Sequence, residues 1–288
     1  GTALAGQDLI SIDRIGRAPV NELLPAARPL SRVRVLDLTR IIAGPVCGRA
    51  LAAHGAEVLR IASPHLPFIA SLIVDTGRGK RSAHIDLDHD GGRTGLRNLL
   101  RGADVFVQGY RPGGLAARGF SPEEAAELRP GIVYVSLSAY GFAGPWAGRR
   151  GFDSLVQTAS GINHAEAEAA GIEGPKELPC QALDHASGYL MALGTIAALT
   201  RRAREGGSWH VKVSLARTGR WLQSLGRIDG GHACPAPAPE DAEPYLEASE
   251  SGFGKLEAIR HAAQLSRTPA RWDQPSMPLG SHTGKWIE

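Results

Sequence analysis

A doubly wound α/β fold built on a mostly parallel sheet is what this 288-residue sequence predicts. Short apolar and β-branched runs alternate with segments of helical spacing over most of the chain, the alternation expected of such sheets. The first unit packs strand, Gly/Pro turn, helix, Gly stop and strand into ~30 residues, the size of a βαβ crossover. Glycine- and proline-rich stretches follow several of the runs, at the strand ends where ligands of these sheets bind.

Val33–Leu38 reads as the first strand, Val46–His54 as a small-residue helix stopped by Gly55, and Glu57–Ile61 as the second strand. Ser82–Leu87 alternates like a strand, and Gly92–Arg101 places Leu96, Leu99 and Leu100 on one helical side. Asp104–Gln108 is a strand, and Ser121–Leu128 opens with Ser-Pro-Glu-Glu, a strong helix start. Ile132–Leu137 and Trp209–Leu215 are further strands. Helical spacing recurs at Phe152–Gly161, Ser187–Arg204 and Thr218–Arg227, with a polar loop between the first two. The strand ends carry Thr39–Pro45, Gly109–Gly114 and Ser138–Gly144. Residues 1–30 have weak periodicity and read as an N-terminal leader; residues 31–229 form the Rossmann-like domain; 230–244, with its alternating Pro, read as a linker; 245–288 form a C-terminal return with one helix at Gly254–Ser266.

Charge and composition narrow the function. With 32 basic and 29 acidic residues the net charge is +3, too even for the concentrated basic face of a nucleic-acid binder. Cys47, Cys180 and Cys234 are far apart and odd in number, which predicts neither a disulfide framework nor zinc and fits a reducing cytoplasm. Leu183–Leu199 is too short, and too interrupted by Asp184 and His185, to be read as a membrane span, and no signal peptide is expected. Gly77-Arg-Gly-Lys-Arg-Ser fails as a phosphate loop because Arg81 separates Lys80 from Ser82. Gly44–Gly48 lacks the glycine order of a dinucleotide turn, and no GxSxG elbow occurs. His164 and Glu166 are badly spaced for a metal, so no metal site is expected.

Five blocks in order resemble the family III coenzyme A transferases of the CaiB/BaiF type, the group that includes formyl-CoA and carnitine CoA-transferases and the α-methylacyl-CoA racemases. They are VRVLDLTRIIAGPVCGRALAAHGAEVLRI (33–61), GRGKRSAHIDL (77–87), ADVFVQGYRPGGLAARGF (103–120), a fourth running from VYVSLSAYGFAGPWAGRRGFDSLVQTASG (133–161) to QALDHASGYLMALGTIAAL (181–199), and PLGSHT (278–283). The resemblance implies Asp184 as nucleophile, placed just before a helix whose N-terminus would keep the carboxylate ionised. It implies coenzyme A contacts at Ala43, Lys80, Tyr110, Arg111, Arg118 and Tyr140, with Arg78 and Arg81 as helpers, and oxyanion donors among the amides of Ala139–Gly141. No permanently bound cofactor is implied; coenzyme A and acyl-CoA are substrates. A homodimer, interlocked in this family, is the expected assembly.

The sequence also departs from the family. Arg118 lies one place beyond the family's usual arginine, and Ile42 and Ser138 replace a glutamine and a lysine of formyl-CoA transferase, which argues against formate and oxalate. Phe152 stands where racemases carry a proton-moving histidine, which argues against racemisation. The small second domain of the family is largely missing between the last strand and the closing segment. Transfer of coenzyme A from an acyl-CoA to a carboxylic acid is therefore the leading reading. A non-catalytic coenzyme A-binding or partner domain of the same fold is the alternative, and a racemase the third.

Overall fold

The computed structural model describes Leu4 and residues 6–287. Its main sheet has seven strands: β1 Ser11–Gly16, β2 Arg34–Leu38, β3 Glu57–Ala62, β4 Lys80–His84, β5 Val105–Gln108, β6 Val133–Ser138 and β7 Ser208–Ser214, in the spatial order β1-β7-β6-β5-β2-β3-β4. All neighbours are parallel except β1, which runs antiparallel to β7. From β2 the chain steps outward to β3 and β4 on one side, then returns to lay β5, β6 and β7 on the other. The strand order therefore reverses between β2 and β5, and a crevice opens there at their carboxyl ends.

Period-two alternation sorts the side chains onto two faces. Val35, Val58, Val105, Val107, Val133, Val135, Val211 and Val213 fall on one face with the helices α1 (Ala43–Ala53) and α7 (Ala182–Glu205). Leu36, Leu59, Phe106 and Tyr134 fall on the other, under α3 (Asp90–Arg101) and α4 (Pro122–Leu128). Both faces are covered, which is why these strands read as continuous apolar runs. The start read from Ser-Pro-Glu-Glu is a full capping box: Glu124 N–H donates to Ser121 Oγ at 3.1 Å, and Ser121 N–H donates to Glu124 Oε2 at 2.8 Å.

The remaining helices are α2 (Ala70–Thr76), α5 (Asp153–Ala159), α6 (Ile162–Ala170) and α8 (Leu215–Ser224). Helices α1 and α7 cross closely, and Gly188 makes that possible. A Cβ there would stand 2.5 Å from the Ala43 carbonyl oxygen and 2.8 Å from Val46 Cβ. Gly188→Ala is expected to destabilise the fold by about 1–3 kcal/mol, measured by urea denaturation, because backbone must move to admit the methyl.

Several elements differ from the sequence reading. The leader supplies β1, an edge strand with Asp13 and Arg14 exposed, too polar to stand out as a strand. The polar loop before Asp184 contains α6, and α7 starts at Ala182, five residues earlier than expected. Residues 254–266 do not form a helix. Leu246–Ser251 and Gly254–Ile259 pair instead as an antiparallel hairpin, β8–β9, turned at Gly254 with φ +99°. Arg78 pins it by donating to the Ile259 carbonyl at 3.0 Å. Between α8 and the closing tail, the described residues form only short helical turns and this hairpin. The PLGSHT segment covers the open edge of β4: Gly280 N–H donates to Ser82 Oγ (3.2 Å), His282 N–H to the Ser82 carbonyl (2.8 Å), and Ser82 N–H to His282 Nδ1 (3.1 Å). A bare edge strand invites pairing with other chains, and the tail prevents it.

Candidate active site

A cleft of about 480 Å³ opens where the strand order reverses. Its floor comes from the ends of β2, β5 and β6, and one wall from residues 149–152. The first turn of α1 contributes Ala43, and the first turn of α7 contributes Asp184. Ile41, at the entrance to α1, has φ +69°. A β-branched residue rarely adopts this left-handed conformation, which costs on the order of 1–3 kcal/mol. The turn is braced from below. Thr39 N–H donates to Asp37 Oδ1 at 2.9 Å, Lys80 Nζ donates to Asp37 Oδ2 at 2.8 Å, and the same ammonium donates to the Pro45 carbonyl at 2.8 Å.

Asp184 is 6% exposed yet faces the cleft. Its backbone N–H donates to Asp153 Oδ2 at 2.8 Å, and Gln157 Nε2 donates to Asp153 Oδ1, so α5 and α7 are joined behind the carboxylate. The sequence reading kept Asp184 ionised through the helix N-terminus. Burial overrides that: loss of water and, secondarily, the nearby Asp153 push its carboxyl up to about 7.

Of the residues assigned to coenzyme A by resemblance, Ala43, Tyr110 and Arg111 line this cleft with Asp184. Lys80 does not. It is 2% exposed and held by Asp37 and Pro45, because its position on β4 aims it under α1 rather than at the strand ends. Arg118 does not line it either: it is exposed and paired with Asp88 at 2.7 Å, near enough to Tyr110 for its charge to act on the phenol. Tyr140 sits behind the wall, edge-on to Trp146 at 5.2 Å and against Gly151. Arg78 is held by Asp75, Ile259 and Trp272, and Arg81 by Glu57 and the Lys285 carbonyl, both away from the cleft. The Gly141 amide, an expected oxyanion donor, already donates to Ser138 Oγ at 2.9 Å. Phe152 lines the cleft and carries no titratable group. Sequence reasoning missed Arg40, Arg149 and Arg150, which line the cleft, and Asp153, whose place in Gly151-Phe152-Asp153 was read only through the phenylalanine. Among the described residues, no group of three His, Cys, Asp or Glu is placed to hold a metal ion, and no helix is long and apolar enough to cross a membrane.

The strand order and the cleft at its reversal put the chain among the Rossmann-like, doubly wound α/β proteins. Within that class it belongs to CoA-transferase family III, whose model matches residues 30–242. An acetyl-coenzyme A transferase of Hypoxylon pulicicidum is 37% identical over 207 residues, covering 70% of this chain and 35% of that protein. A probable fatty acyl-CoA transferase of Mycobacterium tuberculosis is 31% identical over 233 residues, covering 74% of this chain and 59% of that protein. The chain thus spans between about a third and three fifths of the length of these relatives. An orthorhombic crystal structure of a Mycobacterium tuberculosis protein has a TM-score of 0.78 at 22% identity, covering 90% of this chain and 98% of that one, a likeness of fold.

Proposed function

We propose that this chain moves coenzyme A from an acyl-CoA donor to a carboxylic acid acceptor, with Asp184 as the nucleophile. The observation that carries the reading is a nearly buried carboxylate whose exposed edge faces the cleft at the sheet's switch point. The ionised Asp184 oxygen attacks the thioester carbonyl and the C–S bond breaks, giving a mixed anhydride and coenzyme A thiolate. The thiolate attacks the Asp184 carbonyl of the anhydride, expelling the donor's carboxylate and leaving an aspartyl-CoA thioester. The acceptor carboxylate attacks that thioester, again releasing thiolate. The thiolate then takes the acceptor's acyl carbon and frees Asp184. Each step exchanges one acyl bond for another, so positioning and exclusion of water matter more than acid–base strength. Racemisation is disfavoured by Phe152. The same reading takes the working unit to be a homodimer in the cytoplasm, and light scattering checks its mass.

Mass spectrometry after incubation with acyl-CoA and hydroxylamine tests the reading. A hydroxamate on Asp184, absent from Asp184→Ala, is the expected result. Coenzyme A binding with an unmodified Asp184 would establish the alternative, a non-catalytic binding domain.

The raised Asp184 carboxyl adds a pH signature. Only the ionised form attacks, so kcat/KM should climb tenfold per pH unit below about 7 and level off above it. Asp153→Asn keeps an acceptor for the Asp184 amide but removes the repelling charge. It should move the break in the profile to lower pH, and an unmoved break would mean that Asp153 does not act on Asp184.

A further inference from the structure

Arg60, on β3, is 4% exposed, and its Nε and Nη1 are buried without a hydrogen-bond partner. Burying a charged group in this way is costly unless something supplies acceptors. Asp37 lies close enough to favour the charge. Its oxygens are already engaged, Oδ1 by Thr39 and Oδ2 by Lys80. The guanidinium lines a recess of about 20 Å³ at the carboxyl ends of β2 and β3. That is room for about one oxygen-sized group. The recess shares Arg40, Ile41, Leu66 and Tyr110 with the cleft that contains Asp184, so it is a side chamber of that cleft. The loop around it exposes Phe68 and Ile69, at 61% and 51%.

We propose that the Arg60 recess is a phosphate subsite, admitting one oxygen of a phosphate at the nucleotide end of coenzyme A, with Arg40 at its mouth. This rests on the coenzyme A reading above. The spacing along the sheet supports it. Asp153, which holds Asp184, begins α5 beside the end of β6, where Gly151 packs on Ala139. The recess is at the end of β3, three strands away in the order β6-β5-β2-β3. Three strand spacings are about 14 Å. The arm between the sulfur and the diphosphate of coenzyme A is some four peptide units long, again about 14 Å when extended. A thioester at Asp184 thus has an arm long enough to set its phosphates at the β3 side of the cleft.

Titration calorimetry with coenzyme A, dephospho-coenzyme A and pantetheine tests the assignment on wild type, Arg60→Met and Arg60→Lys. Arg60→Met should weaken coenzyme A binding by about 10- to 100-fold, the loss expected for a charge-assisted contact, and leave pantetheine unchanged. Its unliganded form should melt higher, because an unpartnered buried charge is gone. Arg60→Lys keeps a cation but loses the guanidinium fork, and should weaken coenzyme A by less than tenfold with pantetheine unchanged; should the methionine variant not fold, that selective loss supports the subsite and an unchanged coenzyme A affinity overturns it. Loss confined to coenzyme A places the 3′-phosphate in the recess, and loss shared with dephospho-coenzyme A places the diphosphate there. Unchanged coenzyme A affinity would mean that water alone fills the recess and would overturn the proposal. Equal weakening of pantetheine, or a wild type that binds no coenzyme A, would overturn it as well. Trapping at Asp184 is read separately: Arg60-dependent binding without trapping removes the transfer reading alone, and trapping with Arg60-independent binding removes this one alone.

Discussion

Asp184→Asn is expected to lower coenzyme A transfer by roughly 10⁴-fold or more while raising the melting temperature at pH 8. On the proposed transfer, the first effect is the loss of an acyl-accepting nucleophile, for which the amide is no substitute. The second follows from burial. The folded carboxyl titrates at about 7 against 3.8 when unfolded, so the native state holds this proton more tightly. Its contribution to stability is full below pH 4 and lost progressively as pH rises to about 7. Above that, keeping the charge in place costs on the order of 4 kcal/mol. Asparagine carries no charge and avoids the cost, so the variant's advantage should vanish near pH 4. Denaturation curves at pH 4 and pH 8 with parallel rate measurements test both halves. A variant less stable at both pH values, or one that retains transfer, would show that Asp184 serves the fold rather than the chemistry.

The legible parts of this molecule were those governed by local pattern. The parallel strands show as apolar runs because both faces of the sheet are covered, and Ser121-Pro-Glu-Glu announces α4 because its capping groups lie within four residues. Elements whose stability comes from distant partners were hidden. β1 is specified by its ladder to β7, nearly two hundred residues away, and the β8–β9 hairpin by Arg78 and the Ser276 carbonyl. Leu256 and Ile259, three apart, suit one face of a helix as well as a strand, and the left-handed Gly254 decides for the turn. The site divides the same way. Asp184, Ala43, Tyr110 and Arg111 lie on segments whose position follows from strand–helix alternation, and all four line the cleft. Whether a side chain on β4 points to the cleft or under α1 depends on register and on an acid 43 positions earlier, and for Lys80 the sequence offered no view of either. A helix N-terminus is visible in sequence and burial is not, so the upward push on the Asp184 carboxyl is legible only in the fold.

Lys80→Met should destabilise the protein by about 3–5 kcal/mol. Asp37 is fully buried, and its Oδ2 accepts from the Lys80 ammonium at 2.8 Å. Removing the ammonium leaves the buried carboxylate with Thr39 as its donor and only the nearby Arg60 charge to offset burial, which costs more than the pair itself is worth. The double variant Asp37→Asn, Lys80→Met removes the paired charges and should recover part of the loss, the remainder being the favourable charge that Asp37 no longer offers the buried Arg60. The consequences reach the cleft. The Lys80 ammonium also holds the Pro45 carbonyl in the first turn of α1, and Asp37 holds Thr39, so together they brace the left-handed Ile41. Once unbraced, that residue has no reason to remain strained, and coenzyme A affinity should fall in both the single and the double variant. Gly48 belongs to the same unit, since a Cβ there would stand 2.6 Å from Asp37 Oδ2 and 2.8 Å from Lys80 Nζ. If Lys80 met a phosphate directly, Lys80→Met would weaken coenzyme A binding and leave the urea midpoint in place. A falling midpoint, partly restored by Asp37→Asn, instead makes Lys80 the internal brace of a cleft that it does not line.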